Sequence, residues 1–423
     1  MAAPRSLLGL AVFTALLMAV PAQPAAARED RREQRRAAAE PAFPDATREE
    51  PRLRSSPRLQ RQLSQLVEAY NEGDTAKARE LADAILANER ANAYDISFAA
   101  QVAASAASDQ DDLEAAIAYM ERVIETNGLD NEGHYNTMQN LAVAQLNSDQ
   151  PAAAVATLTR LINETQTRNP VIHHTLGSAY FRAEQFAEAA VALRKAISLS
   201  PEPRTDWLRL LQAALIESGE TEAAVAVGQQ VLAKTPDDKQ AVFALASNFI
   251  DLERYDEAIR LLEDARTRGL FNEARDYRTL YSLYFNVEGR ERDVIAVIEE
   301  GFAKGVLPRD LQSLSALAQA AYFSDDMTRA IAAYREAAAL DPRGESGLNY
   351  AKVLSAEGLD AEARAAARAA LAKGLQRPGE AWMVIARAES QIGTPAAVRA
   401  ALQEAARFPE TAEQANRMLR QSR

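Results

Sequence analysis

The stretch HHTLGSAYFRAEQFAEAAVALRKAISLSP, from His173 to Pro201, holds one complete structural unit. His173, Leu176, Gly177 and Tyr180 recur at the spacing of one face of a helix. A polar break, Arg182 to Gln185, follows. Phe186, Ala189 and Leu193 then begin a second apolar stripe, and Pro201 stops it. Small residues at Gly177 and Ala189 let the two helices lie close together. The place of Ala189 is held along the chain by Ala78, Ala116, Ala154, Ala224, Ala258, Val294, Ala330, Ala363 and Val398, at separations of 33 to 38 residues. A hairpin of this size cannot bury its apolar face alone, so ten in series predict an all-α solenoid in which each covers the next.

Composition agrees. Of 423 residues, 89 are alanine, the best helix former, and 6% are aromatic. Sparse β-branched residues disfavour sheet proteins. The chain has no Cys and three His, which removes disulfides, cysteine metal sites and a lipoprotein anchor, and leaves little for histidine chemistry. A net charge of −12 argues against a nucleic-acid partner.

The segment His173-x2-Leu176-Gly177-x2-Tyr180, with Ala189-x3-Leu193 and Pro201, resembles the tetratricopeptide (TPR) repeat, His173 standing where Trp is usual. Tyr255-Asp256-Glu257-Ala258-Ile259, Ala330-x3-Tyr334 with Pro342, and Trp382-x2-Ile385-Ala386 repeat parts of the pattern. The resemblance covers residues 58–408. It implies a right-handed superhelical solenoid of about ten hairpins over residues 58–423, with a C-terminal capping helix after Glu410. The first three units are weakest: Ser97 to Ala107 has Ala or Ser at most core positions, and the 38-residue spacings predict longer turns.

The ends differ from this body. Arg5, an apolar run from Ser6 to Val20, and small residues before Ala22 or Ala27 have the order of a secretory signal, residues 1–27. The apolar run is too short to span a bilayer. Export of a cysteine-free chain points to the bacterial periplasm. Residues 28–57, rich in Arg and Pro with few large apolar residues, read as a disordered linker. Net charge is −21 from Gln62 to Ala363 and +5 from Arg364 onward, a polarity that suits a basic or Pro-rich partner or head-to-tail homo-association.

Catalytic motifs are missing: no phosphate loop, nucleophile elbow or metalloprotease helix is found. The adjacent pair His173-His174 cannot share one metal on a helix, and acidic runs such as Asp325-Asp326 sit where helices need caps. No cofactor or metal is therefore expected, and the chain reads as a non-enzyme. The TPR resemblance places the function on the first helix of each hairpin, in a peptide groove that includes His174, Phe181, Arg182, Arg209, Phe243, Tyr322 and Phe323. Arg268-Gly269-Leu270, Lys304-Gly305-Val306 and Lys373-Gly374-Leu375, with the residues around them, resemble exported TPR proteins encoded beside the TonB, ExbB and ExbD components. That resemblance implies a periplasmic scaffold assisting TonB-dependent outer-membrane transport. The alternative is a TPR adaptor for envelope assembly or division, and an enzyme or its regulatory subunit stands behind both.

Overall fold

The computed structural model describes residues 43–421 apart from Leu53. The expected signal, residues 1–27, and the linker as far as residue 42 lie outside the described residues. The described chain is all helix and turn, in two compact units divided after Leu199.

The first unit holds four hairpins. Their helices are α1 (Gln60–Asn71), α2 (Thr75–Leu86), α3 (Ala93–Asp109), α4 (Leu113–Thr126), α5 (Asn131–Asn147), α6 (Pro151–Thr165), α7 (Pro170–Arg182) and α8 (Phe186–Leu199). The second unit holds six more and a closing helix. These are α9 (Thr205–Glu217), α10 (Thr221–Lys234), α11 (Lys239–Asp251), α12 (Tyr255–Thr267), α13 (Ala274–Tyr284), α14 (Glu291–Ala303), α15 (Leu311–Phe323), α16 (Met327–Leu340), α17 (Glu345–Ala356), α18 (Asp360–Ala372), α19 (Pro378–Ile392), α20 (Pro395–Ala405) and α21 (Pro409–Gln421). Within each unit every helix packs on its neighbours in sequence.

Small residues set the packing distance. Ala78, Ala116, Ala154, Ala189, Ala224, Ala258, Val294, Ala330 and Ala363 are fully buried. At Gly177 the approach is close: a Cβ there would stand 2.5 Å from the Leu193 Cγ. Only a residue without a side chain fits where α7 crosses α8.

The turn inside the first nine hairpins is equally regular. Counting five residues back from the small residue gives Gly73, Asp111, Asp149, Glu184, Gly219, Glu253, Gly289, Asp325 and Gly358, and all nine lie in the left-handed region, with φ from 57° at Glu253 to 82° at Gly73. One left-handed residue reverses the chain, and where the next residue is Asp (Asp74, Asp112 and Asp326) it caps the second helix. Asp112 accepts from the Ala115 N–H and Asp326 from the Arg329 N–H. The expected longer turns of the early units are not found. Helices α3 and α5 are 17 residues long where α7, α9, α11 and α15 have 13, so the extra residues extend the first helix.

The basic–Gly–aliphatic motifs end second helices. Gly269 has φ 80°, and the Leu270 N–H donates back to the Ala265 carbonyl. Gly305 and Val306 repeat this after α14. The basic residue then reaches the preceding hairpin: Arg268 donates to the Pro236 carbonyl, and Lys373 to those of Ala338 and Asp341. Helix α21 closes the second unit, with Ala415 buried and Thr411 donating to the Ala405 carbonyl.

From Phe43 onward the expected linker is not a free spacer. The Phe43 ring is buried 5.1 Å from that of Tyr135, and the chain after it is fastened to α4, α5 and α6. One aromatic side chain supplies the apolar area that the surrounding composition lacks.

Candidate functional site

Helix α7 carries the three groove candidates of the first unit. His174 is half-buried, and beside it His173 is buried with Nε2 2.9 Å from the Thr167 carbonyl oxygen. Phe181 is half-buried, edge-on to Phe186 at 5.3 Å. Arg182 is exposed, yet it donates through Nη1 to the Leu146 carbonyl at 2.8 Å. That carbonyl lies in the last turn of α5 and also accepts from the Asp149 N–H, so Arg182 adds a tie between the third hairpin and the fourth.

In the second unit, Arg209 is paired with Asp238 at the start of α11. Phe243 is half-buried, packed 5.8 Å from Phe271 with the Lys239 ammonium 5.9 Å from its ring. Tyr322 and Phe323 differ. They end α15, 40% and 63% exposed, with their rings edge to face at 5.6 Å. Ala320 and Ala321 before them fill the buried seam, so the two aromatics stand at a tip that the unit covers only in part.

Tyr322 does not stand alone. Ile216, Ile250 and Tyr322 each lie eight residues before their hairpin's small residue, at the turn end of a first helix, and Phe285 lies nine before Val294. Ile216 and Phe285 are exposed, and Ile250 is half-buried. The sequence reading missed Phe285 because the connection from α13 to α14 is longer than the other turns of its kind, which shifts it out of register.

A second feature belongs to the first unit. Leu63, Val67, Tyr94 and Phe98 line a recess of about 560 Å³ rimmed by Ser64, Glu68 and Asn71. Tyr94 and Phe98, one turn apart on α3, stack at 5.8 Å. Burial, then the charges of Asp130 and Asp95, raises the Tyr94 pKa. The aromatic pair at four-residue spacing is visible in the sequence, with Phe98 inside the alanine-rich run Ser97 to Ala107.

Charged groups in the second unit are engaged between hairpins. Lys239 meets Asp276 at 2.6 Å, Arg268 meets Asp237 at 3.0 Å, Arg309 meets Glu336 at 2.8 Å and Arg329 meets Glu299 at 2.8 Å. A polar recess of about 750 Å³ beside Arg292, Asp325, Asp326, Arg329 and Glu357 is built from such groups. Asp326 there is occupied as a helix cap and as the partner of Arg329. Tyr284, raised by burial and by its hydrogen bond to Glu263, is buried in the core. Among the described residues no cluster of His, Cys, Asp or Glu could hold a metal ion, and no helix is long and apolar enough to cross a membrane.

Regular hairpins, small-residue seams and exposed apolar tips define a repeat scaffold of the tetratricopeptide kind. Tetratricopeptide repeat models match residues 180–247 and 215–275, and a second such model matches 99–128 and 311–343, so the chain carries TPR repeats. No curated protein matches it. Among solved structures, a tetratricopeptide repeat protein from Parabacteroides merdae is 16% identical, with TM-score 0.36, over 57% of this chain and 91% of its own. The structure of Naa15/Naa10 bound to HypK-THB gives 16% identity and TM-score 0.45 over 85% of this chain and 60% of the matched one. MamA from Desulfovibrio magneticus gives 15% and 0.34 over 44% and 98%.

Proposed function

We propose that the chain is a non-enzymatic scaffold that binds a protein or peptide partner in the periplasm and assists TonB-dependent outer-membrane transport. TPR repeats support the scaffold reading. The observation that carries it is the row of apolar tips, Ile216, Phe285, Tyr322 and Phe323, on a unit whose charges are largely paired with one another. Aromatic anchors of this kind supply much of the affinity at protein interfaces. Arg5, the apolar run to Val20 and the small residues before Ala27 support export. Likeness around Arg268-Gly269-Leu270 and its two counterparts supports the link to TonB systems.

Capture from a periplasmic extract tests the proposal. The tagged chain is expected to recover TonB or an uptake receptor, and the Tyr322→Ala/Phe323→Ala variant to lose that capture with its helical circular dichroism unchanged. Recovery of murein synthases or division proteins alone would reject the TonB assignment. Equal capture by the variant would reject the site. A mature N-terminus following Ala22 or Ala27 in the periplasmic fraction checks export.

A further inference from the structure

Residues 43–50 form a short strap that touches the first unit at four points. The Phe43 ring enters an apolar slot with Tyr135, Met138, Leu158 and Leu161. Thr47 donates through its N–H and its hydroxyl to the Glu164 carbonyl, at 2.8 and 3.1 Å, in the last turn of α6. The Arg48 guanidinium donates to the Leu129 carbonyl at 2.7 Å and the Asn131 Oδ1 at 2.8 Å, and it also bonds Asn127, which ends α4. A Glu50 carboxylate oxygen accepts from the Asn131 N–H at 3.0 Å, at the first residue of α5.

Each contact answers something the helices lack. A cation sits at the C-terminus of α4 and an anion at the N-terminus of α5, as the helix dipoles favour, while Thr47 satisfies a carbonyl that α6 leaves open. The recognition elements are an aromatic, a hydroxyl residue four places later, an Arg at five and an acid at seven. Nothing in that list depends on the strap belonging to this chain.

The strap is held mainly by its side chains, and its outer face is open. Among the described residues, Thr47 to Glu164 is its one main-chain hydrogen bond to a helix, and Pro44, Asp45, Thr47, Glu49 and Glu50 are exposed. Beneath it His134 is fully buried with no hydrogen-bond partner on either ring nitrogen, so the cover leaves polar atoms on the floor unanswered.

We propose that the face made by the end of α4 with α5 and α6 is a peptide-binding site filled in cis by residues 43–50, and that partner segments with the same aromatic, Ser/Thr-Arg and acidic spacing bind by displacing the strap. The strap then sets a threshold: a tethered ligand competes at high effective concentration, so only a partner that is abundant or better matched gains entry. This site is separate from the apolar tips of the second unit and needs neither the periplasm nor TonB.

The probe is a fluorescein-labelled synthetic peptide of residues 41–52, followed by anisotropy against the full-length chain. Phe43→Ala/Arg48→Ala releases the strap, and Arg48→Ala alone keeps the apolar anchor should the double variant unfold. Both are expected to bind the probe at least about tenfold more tightly than the unaltered chain, because cis competition is gone. A probe whose Arg is replaced by Ala is expected to bind neither. No binding to a folded variant whose residues 43–50 have lost hydrogen-exchange protection would overturn the proposal. So would probe binding accompanied by concentration-dependent dimers of the unaltered chain, which would make the face an arm-exchange interface. Failure here leaves the Tyr322–Phe323 reading untouched.

Discussion

Replacing His134 by Leu should stabilise the protein in acid while changing little at neutral pH. His134 lies on α5 with both ring nitrogens unpartnered, edge-on to Tyr135 at 5.3 Å. Charges reach it from two sides: Arg48 on the strap, and Arg160 and Glu164 on α6. Burial, then the two guanidiniums, lowers its pKa from 6.5 to about 4, with Glu164 acting weakly the other way. The native state therefore keeps the imidazole neutral, whereas the unfolded chain protonates it below about pH 6.5. The stability this confers is complete above pH 6.5 and is lost as pH falls toward 4, where the native site protonates too. A displacement from 6.5 to about 4 corresponds to about 3 kcal/mol over that window. The substitution deletes no hydrogen bond, so its cost at pH 7.5 should stay within about 1 kcal/mol. Urea unfolding followed by circular dichroism at pH 7.5 and 4.5 reads the effect. Carboxylates weaken both proteins in acid, so the difference between them isolates His134. It should move by about 2–3 kcal/mol in favour of the variant. Parallel losses in the two proteins would show that His134 is not held neutral by its surroundings.

Glu253→Gly should raise stability by about 0.5 to 1 kcal/mol, because a side chain at φ 57° is strained, and Gly219→Ala should lower it by about 1 kcal/mol, with thermal melts as the check. Gly177→Ala should cost about 1–3 kcal/mol in the same melts, since its Cβ would overlap Leu193. Asp276, fully buried, accepts from the Asn272 and Glu273 N–H groups and from Lys239; Asp276→Ala should cost about 3 kcal/mol or more in urea unfolding.

The hairpin register was legible because each unit needs one small residue where its helices cross, and that demand recurs along the chain. Spacing counts residues without saying which element holds them. The 38-residue units thus suggested longer turns when the turn itself is constant and α3 and α5 are longer. Composition failed at the strap for a related reason. Averaged over a polar, proline-rich segment, Phe43 is a minor component, yet it alone decides where that segment lies. At the candidate groove, register could say which way Arg182 and Arg209 point. It could not say that Leu146 and Asp238 claim them, since each partner stands on a neighbouring hairpin some thirty residues away in sequence.

The repeated left-handed turn has a further consequence for how such a chain can change length. Nine of the ten hairpins reverse through the same backbone bend, whether Gly, Asp or Glu occupies it. Cutting at two equivalent bends and rejoining them would remove one whole module while leaving the surviving junction conformationally identical to those beside it. Growth and loss by duplication or deletion therefore proceed in fixed steps, each preserving the local fold, and a lineage can adjust reach without having to reinvent a connection.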